Sequence, residues 1–78
     1  MDSVMTFALF DAARLKESCE GWMFGKDDVR FDAGAVGAVI ELYPEGAELE
    51  FIDKEGRTLG FVGARFDQIE RLPRRGEG

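Results

Sequence analysis

The sequence contains no histidine, and Cys19 is its only cysteine. Without histidine it lacks the side chain that most often transfers protons near neutral pH. A single cysteine excludes an internal disulfide, and a zinc site built from cysteine and histidine is excluded too. We therefore predict a protein that is not an enzyme, with no catalytic residue, no metal and no cofactor.

The lone cysteine has no basic neighbour that would activate it. Glu17 and Glu20 flank Cys19, and their negative charges should raise the pKa of its thiol. We interpret Cys19 as a small, buried, apolar residue. A single reduced cysteine and an N-terminus without the basic start of a signal peptide predict a cytoplasmic protein.

Basic residues are fewer than acidic ones: 10 lysines and arginines stand against 16 aspartates and glutamates, for a net charge of −6. Nucleic-acid binding needs clustered positive charge, so this balance disfavours it. No apolar run approaches the roughly 20 residues needed to span a bilayer. We expect no nucleic-acid or membrane partner; the charge either only maintains solubility or attracts a basic protein.

With 78 residues the chain has room for one domain, which we predict over residues 1–72, followed by a disordered polar tail over residues 73–78. A core of this size supplies little stability, and the sequence offers no disulfide or zinc to reinforce it. A tightly packed core or self-association into a homo-oligomer is therefore expected.

The clearest pattern is an antiparallel meander over residues 35–64. A β-branched segment ends at Pro44, and its even-numbered residues are all apolar, which predicts that they form the buried face: Val36, Ala38, Ile40 and Leu42. Turn sequences at 44–46 and 53–56 separate it from two further strands. Gly60 and Gly63 lie inside the last strand, where glycine marks a bend. The pattern predicts a mainly β fold, a small SH3-like barrel or strongly bent sheet.

Both ends of the domain are less clear. Residues 4–20 have helix-forming composition, which predicts an N-terminal helical segment. A strand competes for the middle of this segment, because Asp11, Ala13 and Leu15 belong to an alternating set. Residues 29–32 alternate like a short half-buried strand, and residues 66–72 predict a single turn followed by a short closing strand.

Three segments of the sequence, LFDAARLKES, AGAVGAVIELYPEGAELEFIDKEGRTLGFV and FDQIERL, resemble a family of short bacterial proteins known as the domain of unknown function DUF4926. The resemblance covers residues 9–15 and 34–72. It departs from the family at residues 11–15, which are less β-branched, and at residues 19–32, which are longer. The resemblance implies an SH3-like β-barrel and supplies no catalytic residue.

Trp22, Met23 and Phe24 lie in succession between two glycines, and such residues are enriched at protein contacts. They cannot all point to one side of a strand, so at least one should face outward. We predict that they anchor a protein partner; the alternative is that they cap one end of the core, and both hold if that end is the interface. Glu48, Glu50 and Asp53 would direct the contact toward a basic surface.

Three functions fit these features. The preferred one is a non-enzymatic interaction module that self-associates or binds a larger protein partner. The alternative is a homo-oligomer that binds small ligands in an apolar pocket lined by Trp22, Phe24 and Phe61. The third is a hydrolase that uses carboxylates alone. The carboxylates of Glu48 and Glu50, or those near residues 27–32, are more typical of solvated surfaces than of a cation site.

Overall fold

The computed structural model describes residues 6–76, apart from the side chain of Asp27. It contains one seven-stranded antiparallel sheet with the order β3-β2-β6-β5-β4-β1-β7. Its strands are β1 (Ala12–Leu15), β2 (Cys19–Met23), β3 (Lys26–Phe31), β4 (Val36–Tyr43), β5 (Gly46–Ile52), β6 (Thr58–Arg65) and β7 (Ile69–Arg71). A 3-10 helix, Phe66–Gln68, leads into β7, as the sequence predicts. Among these residues no helix is long and apolar enough to cross a bilayer.

The β4–β5–β6 meander forms where the turn residues predict it. Tyr43 pairs with Gly46, which leaves Pro44 and Glu45 as the loop between β4 and β5. Asp53 organises the next turn, since its Oδ1 accepts hydrogen bonds from the backbone N–H groups of Glu55 and Arg57, both at 2.9 Å. Gly56 has a φ of +84°, a left-handed conformation that favours glycine.

The core lies on one side of this meander, which we call the inner face. Its fully buried members include Val39, Leu49 and Val62, contributed by three neighbouring strands. The cluster continues through Ala13, Leu15, Cys19, Ala47, Phe51, Ala64 and Ile69. Phe31 of β3 stacks on Phe51 with ring centroids 4.4 Å apart, which joins the β2–β3 hairpin to this core.

The prediction of an N-terminal helical segment is wrong for the described residues, which contain no α-helix. Asp11, Ala13 and Leu15 are buried on alternate positions of an extended chain, so burial of this face overrides the helical propensity of the segment. Residues 4 and 5 of the predicted helix lie outside the described part of the chain.

The sheet is not closed, so the predicted barrel is also wrong. Closure would require the two outermost strands to pair, and these are β3 and β7 at opposite ends of the strand order. The β2–β3 hairpin occupies the free edge of β6 and extends the sheet there. The molecule measures 42 × 26 × 20 Å.

Bulges change which residues of a strand face the core. The register between β4 and β5 shifts between Val39 and Glu41, so Ile40 is an extra residue. Val39 is buried before this bulge, whereas Val36 is exposed and Ala38 is half-buried. The predicted buried face of β4 is therefore wrong. A second register shift, next to Gly60, agrees with the bend predicted there.

An ion pair ties the two ends of the described chain together. Arg74 donates from Nε and Nη2 to the two carboxylate oxygens of Asp11, each at 2.7 Å, and Asp11 is only 7% exposed. Nη2 also donates to the carbonyl of Thr6 at 3.0 Å. The hydrogen bonds from Arg74 lower the pKa of Asp11 to about 2. Disorder of residues 73–78 stays a prediction; residues 77 and 78 lie outside the described part.

Candidate functional site

The two faces of β6 carry different chemistry. Val62 points to the inner face, where it pairs in register with Leu49 of the core. Phe61 precedes it and, because successive strand side chains alternate, points to the opposite face. Phe61 pairs in register with Glu50 on one side and with Trp22 on the other. The row Glu50, Phe61 and Trp22 thus crosses three strands on what we call the outer face.

Three aromatic rings form a second apolar cluster on this outer face. Trp22 stacks on Phe61 with centroids 4.5 Å apart and an interplanar angle of 26°. Phe24 meets both rings edge-on, at 5.9 Å from Trp22 and 5.7 Å from Phe61. We call these three residues the outer aromatic cluster. Phe61 is 8% exposed although it is not part of the inner core cluster, so Trp22 and Phe24 are what cover it.

The covering rings are themselves open to solvent. Trp22 is 38% exposed and Phe24 is 77% exposed. Phe24 and Gly25 form the loop of the β2–β3 hairpin, where Gly25 has a φ of +77°. Gly21 allows β2 to approach β6 closely, because a Cβ built on it would lie 2.1 Å from the carbonyl oxygen of Phe61. The outer aromatic cluster is therefore held by the backbone contact beneath it.

Glutamates border the aromatic cluster on the outer face. Glu48 pairs in register with Glu41, which places two like charges directly opposite each other. The Tyr43 hydroxyl donates to Glu48 at 3.0 Å, and the Thr58 hydroxyl donates to Glu50 at 2.7 Å. The hydrogen bond to Glu48 raises the pKa of Tyr43, and the charges of Glu48 and Glu41 add to this effect. No described lysine or arginine forms an ion pair with these glutamates.

The predicted partner-binding residues divide into two groups. Trp22, Phe24, Glu48 and Glu50 share the outer face. Met23 is half-buried and, by strand alternation, lies on the other face of β2.

Asp53 also lies apart from this group, at the far end of β5. Its Oδ1 holds the turn, and its Oδ2 accepts a hydrogen bond from Arg57 Nε at 3.1 Å. Its role in the structure is to fix the hairpin between β5 and β6. As predicted, Cys19 is buried, and burial raises the pKa of its thiol, with Glu17 adding to the effect.

Gly63 leaves the outer face bare between the glutamates and the aromatic rings. It pairs in register with Glu48, and a Cβ built on it would meet no atom within 4 Å. An open depression of about 390 Å³ continues from it, lined by Tyr43, Pro44, Glu45, Gly46, Ala47, Gly63, Ala64 and Arg65. Arg65 at its end is engaged by Asp67 at 3.1 Å. The outer face therefore has open space over Gly63, and this space is bordered by carboxylates and aromatic rings.

Sequence reasoning missed the parts of this surface that depend on register. It included Phe61 only as a pocket residue, and it assigned no role to Glu41 or Tyr43. The bulge at Ile40 brings Glu41 opposite Glu48, and no local pattern signals it. Within the described residues, no group of three acidic or cysteine side chains is arranged to hold a metal ion.

Comparison with known proteins finds no match, since no family model, no curated protein and no solved structure matches the chain. The resemblance to the DUF4926 family stays a prediction from the sequence.

Proposed function

We propose that the protein is a non-enzymatic interaction module that binds a protein partner through its outer face. The observation that carries the proposal is the outer aromatic cluster, in which Phe24 is 77% exposed beside a stacked Trp22. Phenylalanine and tryptophan are enriched at protein interfaces, and tryptophan is among the residues that most often dominate binding energy. The reduced cysteine, Cys19, fits a cytoplasmic location for such a module.

The alternative of a ligand pocket between Trp22, Phe24 and Phe61 has less support. These rings are 4.5–5.9 Å apart, which is the spacing of rings in contact. A small molecule would have to separate them, whereas a protein surface can cover them as they are. A broad contact therefore fits the cluster better than an enclosed ligand.

The experiment uses two phenylalanines of equal exposure. Phe10 is 78% exposed and precedes β1, which three strands separate from β2 in the sheet. Immobilised wild type, Phe24→Ser and Phe10→Ser proteins are incubated with lysate of the source cell, and bound proteins are quantified by mass spectrometry. Sedimentation velocity of each variant measures self-association in parallel.

We expect a partner, or a self-associated species, that wild type and Phe10→Ser retain and Phe24→Ser loses. Loss of the partner with both variants would indicate nonspecific binding by exposed phenylalanine. Equal retention by all three proteins would show that the outer aromatic cluster is not the contact. Either of these results would overturn the proposal.

A further inference from the structure

Resting on the proposed function, we infer that the outer face recognises an arginine-bearing segment of a protein partner. The arginine would lie over Gly63, with its guanidinium between the carboxylate of Glu48 and the exposed side of Trp22.

Uncompensated negative charge points to a cationic occupant. Glu41 and Glu48 face each other across β4 and β5, an arrangement that is unfavourable unless a cation lies nearby. Hydrogen bonds from Tyr43 and Thr58 fix the carboxylates of Glu48 and Glu50 without neutralising them. A positive charge brought by a partner would relieve this repulsion.

The space for the cation lies beside these carboxylates. Glu48 and Gly63 are in-register neighbours, and nothing occupies the position of a Cβ on Gly63. Phe61 lies two residues from Gly63 along β6, about 7 Å away, and Trp22 stacks on it from the neighbouring strand β2. A side chain crossing Gly63 would thus reach an acidic group and an aromatic group together.

Arginine satisfies both groups better than lysine does. Its guanidinium is planar, so it stacks on an indole ring and also forms paired hydrogen bonds with a carboxylate. A second copy of the chain fits less well. In a symmetric contact the same patch faces itself, and Glu41, Glu48 and Glu50 would then meet their own equivalents.

The test uses a short synthetic peptide of alternating arginine and leucine, with matched peptides carrying lysine or neutral citrulline in place of arginine. Trp22 is the only tryptophan, so its emission reports binding at the site directly. Peptides are titrated up to about 1 mM into wild type, Gly63→Val, Glu48→Gln and Glu55→Gln proteins. Glu55→Gln is the charge control, because Glu55 lies in the distant loop between β5 and β6.

We expect the citrulline peptide to bind about tenfold more weakly than the arginine peptide, and the lysine peptide about threefold more weakly. Gly63→Val places a side chain in the open space over residue 63 and should weaken arginine-peptide binding about tenfold. Glu48→Gln removes one negative charge and should weaken binding about three- to tenfold. Glu55→Gln should change affinity by less than about twofold, because solvent and salt screen a distant charge.

Equal binding of the arginine and citrulline peptides would overturn the inference, as would equal effects of Glu48→Gln and Glu55→Gln. Failure of the arginine peptide to bind, with a lysate partner still lost in Phe24→Ser, would overturn the inference and leave the proposed function standing. If Phe24→Ser loses no partner either, both fail.

Discussion

Adjacent residues of β6 belong to two different apolar clusters. Val62 is fully buried on the inner face, in a cluster with residues from six strands. Phe61 is covered on the outer face by Trp22 and Phe24, and both of these remain exposed to solvent. The members of the inner cluster are all buried, whereas the outer cluster is covered by residues that still have surface to bury. This difference is the basis for assigning stability to the inner cluster and for proposing that the outer one contacts a partner.

The inner and outer faces also differ in how their charged side chains are compensated. Asp11, which is buried two residues before Ala13 of the inner cluster, has its charge paired with that of Arg74. The outer face carries Glu41 opposite Glu48, a like-charged pair that folding alone does not require. Features that disfavour the isolated fold are expected where a surface serves binding.

The largest effect should come from opening the inner cluster. Leu49→Ala removes a side chain that is fully buried at the centre of the meander, and it should lower the free energy of unfolding by about 2–5 kcal/mol. Urea denaturation followed by Trp22 fluorescence measures this loss. A change below about 1 kcal/mol would mean that the inner cluster is not the main source of stability.

A smaller loss should follow from separating the β2–β3 hairpin from β6. A Cβ at residue 21 would lie 2.1 Å from the carbonyl oxygen of Phe61, so Gly21→Ala should cost about 1–3 kcal/mol. Gly63→Ala is the matched control in β6. The Cβ that this substitution adds meets no atom within 4 Å, so Gly63→Ala should stabilise the protein by about 0.5 kcal/mol. Equal losses in both variants would contradict the close approach of β2 to β6.

Acid should weaken a contact that belongs to neither cluster, the ion pair of Asp11 with Arg74. The pKa of Asp11 is lowered in the folded state from its usual 3.8 to about 2, so its contribution is present above pH 4 and is lost as pH falls toward 2. We expect this contribution to be about 1–2 kcal/mol. Urea denaturation at several pH values should show a shallower acid loss for Arg74→Ala than for wild type. Identical pH profiles would mean that the pair does not stabilise the fold.

The meander was predictable because its determinants are local. Pro44, Asp53 and Gly56 fix turns through their own backbone preferences and hydrogen bonds, and the strands between them alternate clearly. Which face of β4 is buried was not predictable, since the bulge at Ile40 depends on pairing with β5. The candidate site is predictable in part: the sequence predicts Trp22 and Phe24 as contact residues, and both are exposed in the structure. The placement of Glu41 and Gly63 on either side of Glu48 appears only when the strands are in register.

The central claim is that the outer aromatic cluster is not needed for folding. The most direct test compares the free energy of unfolding of Phe24→Ser with that of Leu49→Ala. Urea denaturation of both variants and wild type under one set of conditions provides the comparison. If the claim is right, Phe24→Ser stays within about 0.5 kcal/mol of wild type, as expected of an exposed residue. A loss of about 2 kcal/mol or more, in the range of the core substitution, would show that the outer aromatic cluster is a second core and would contradict the account.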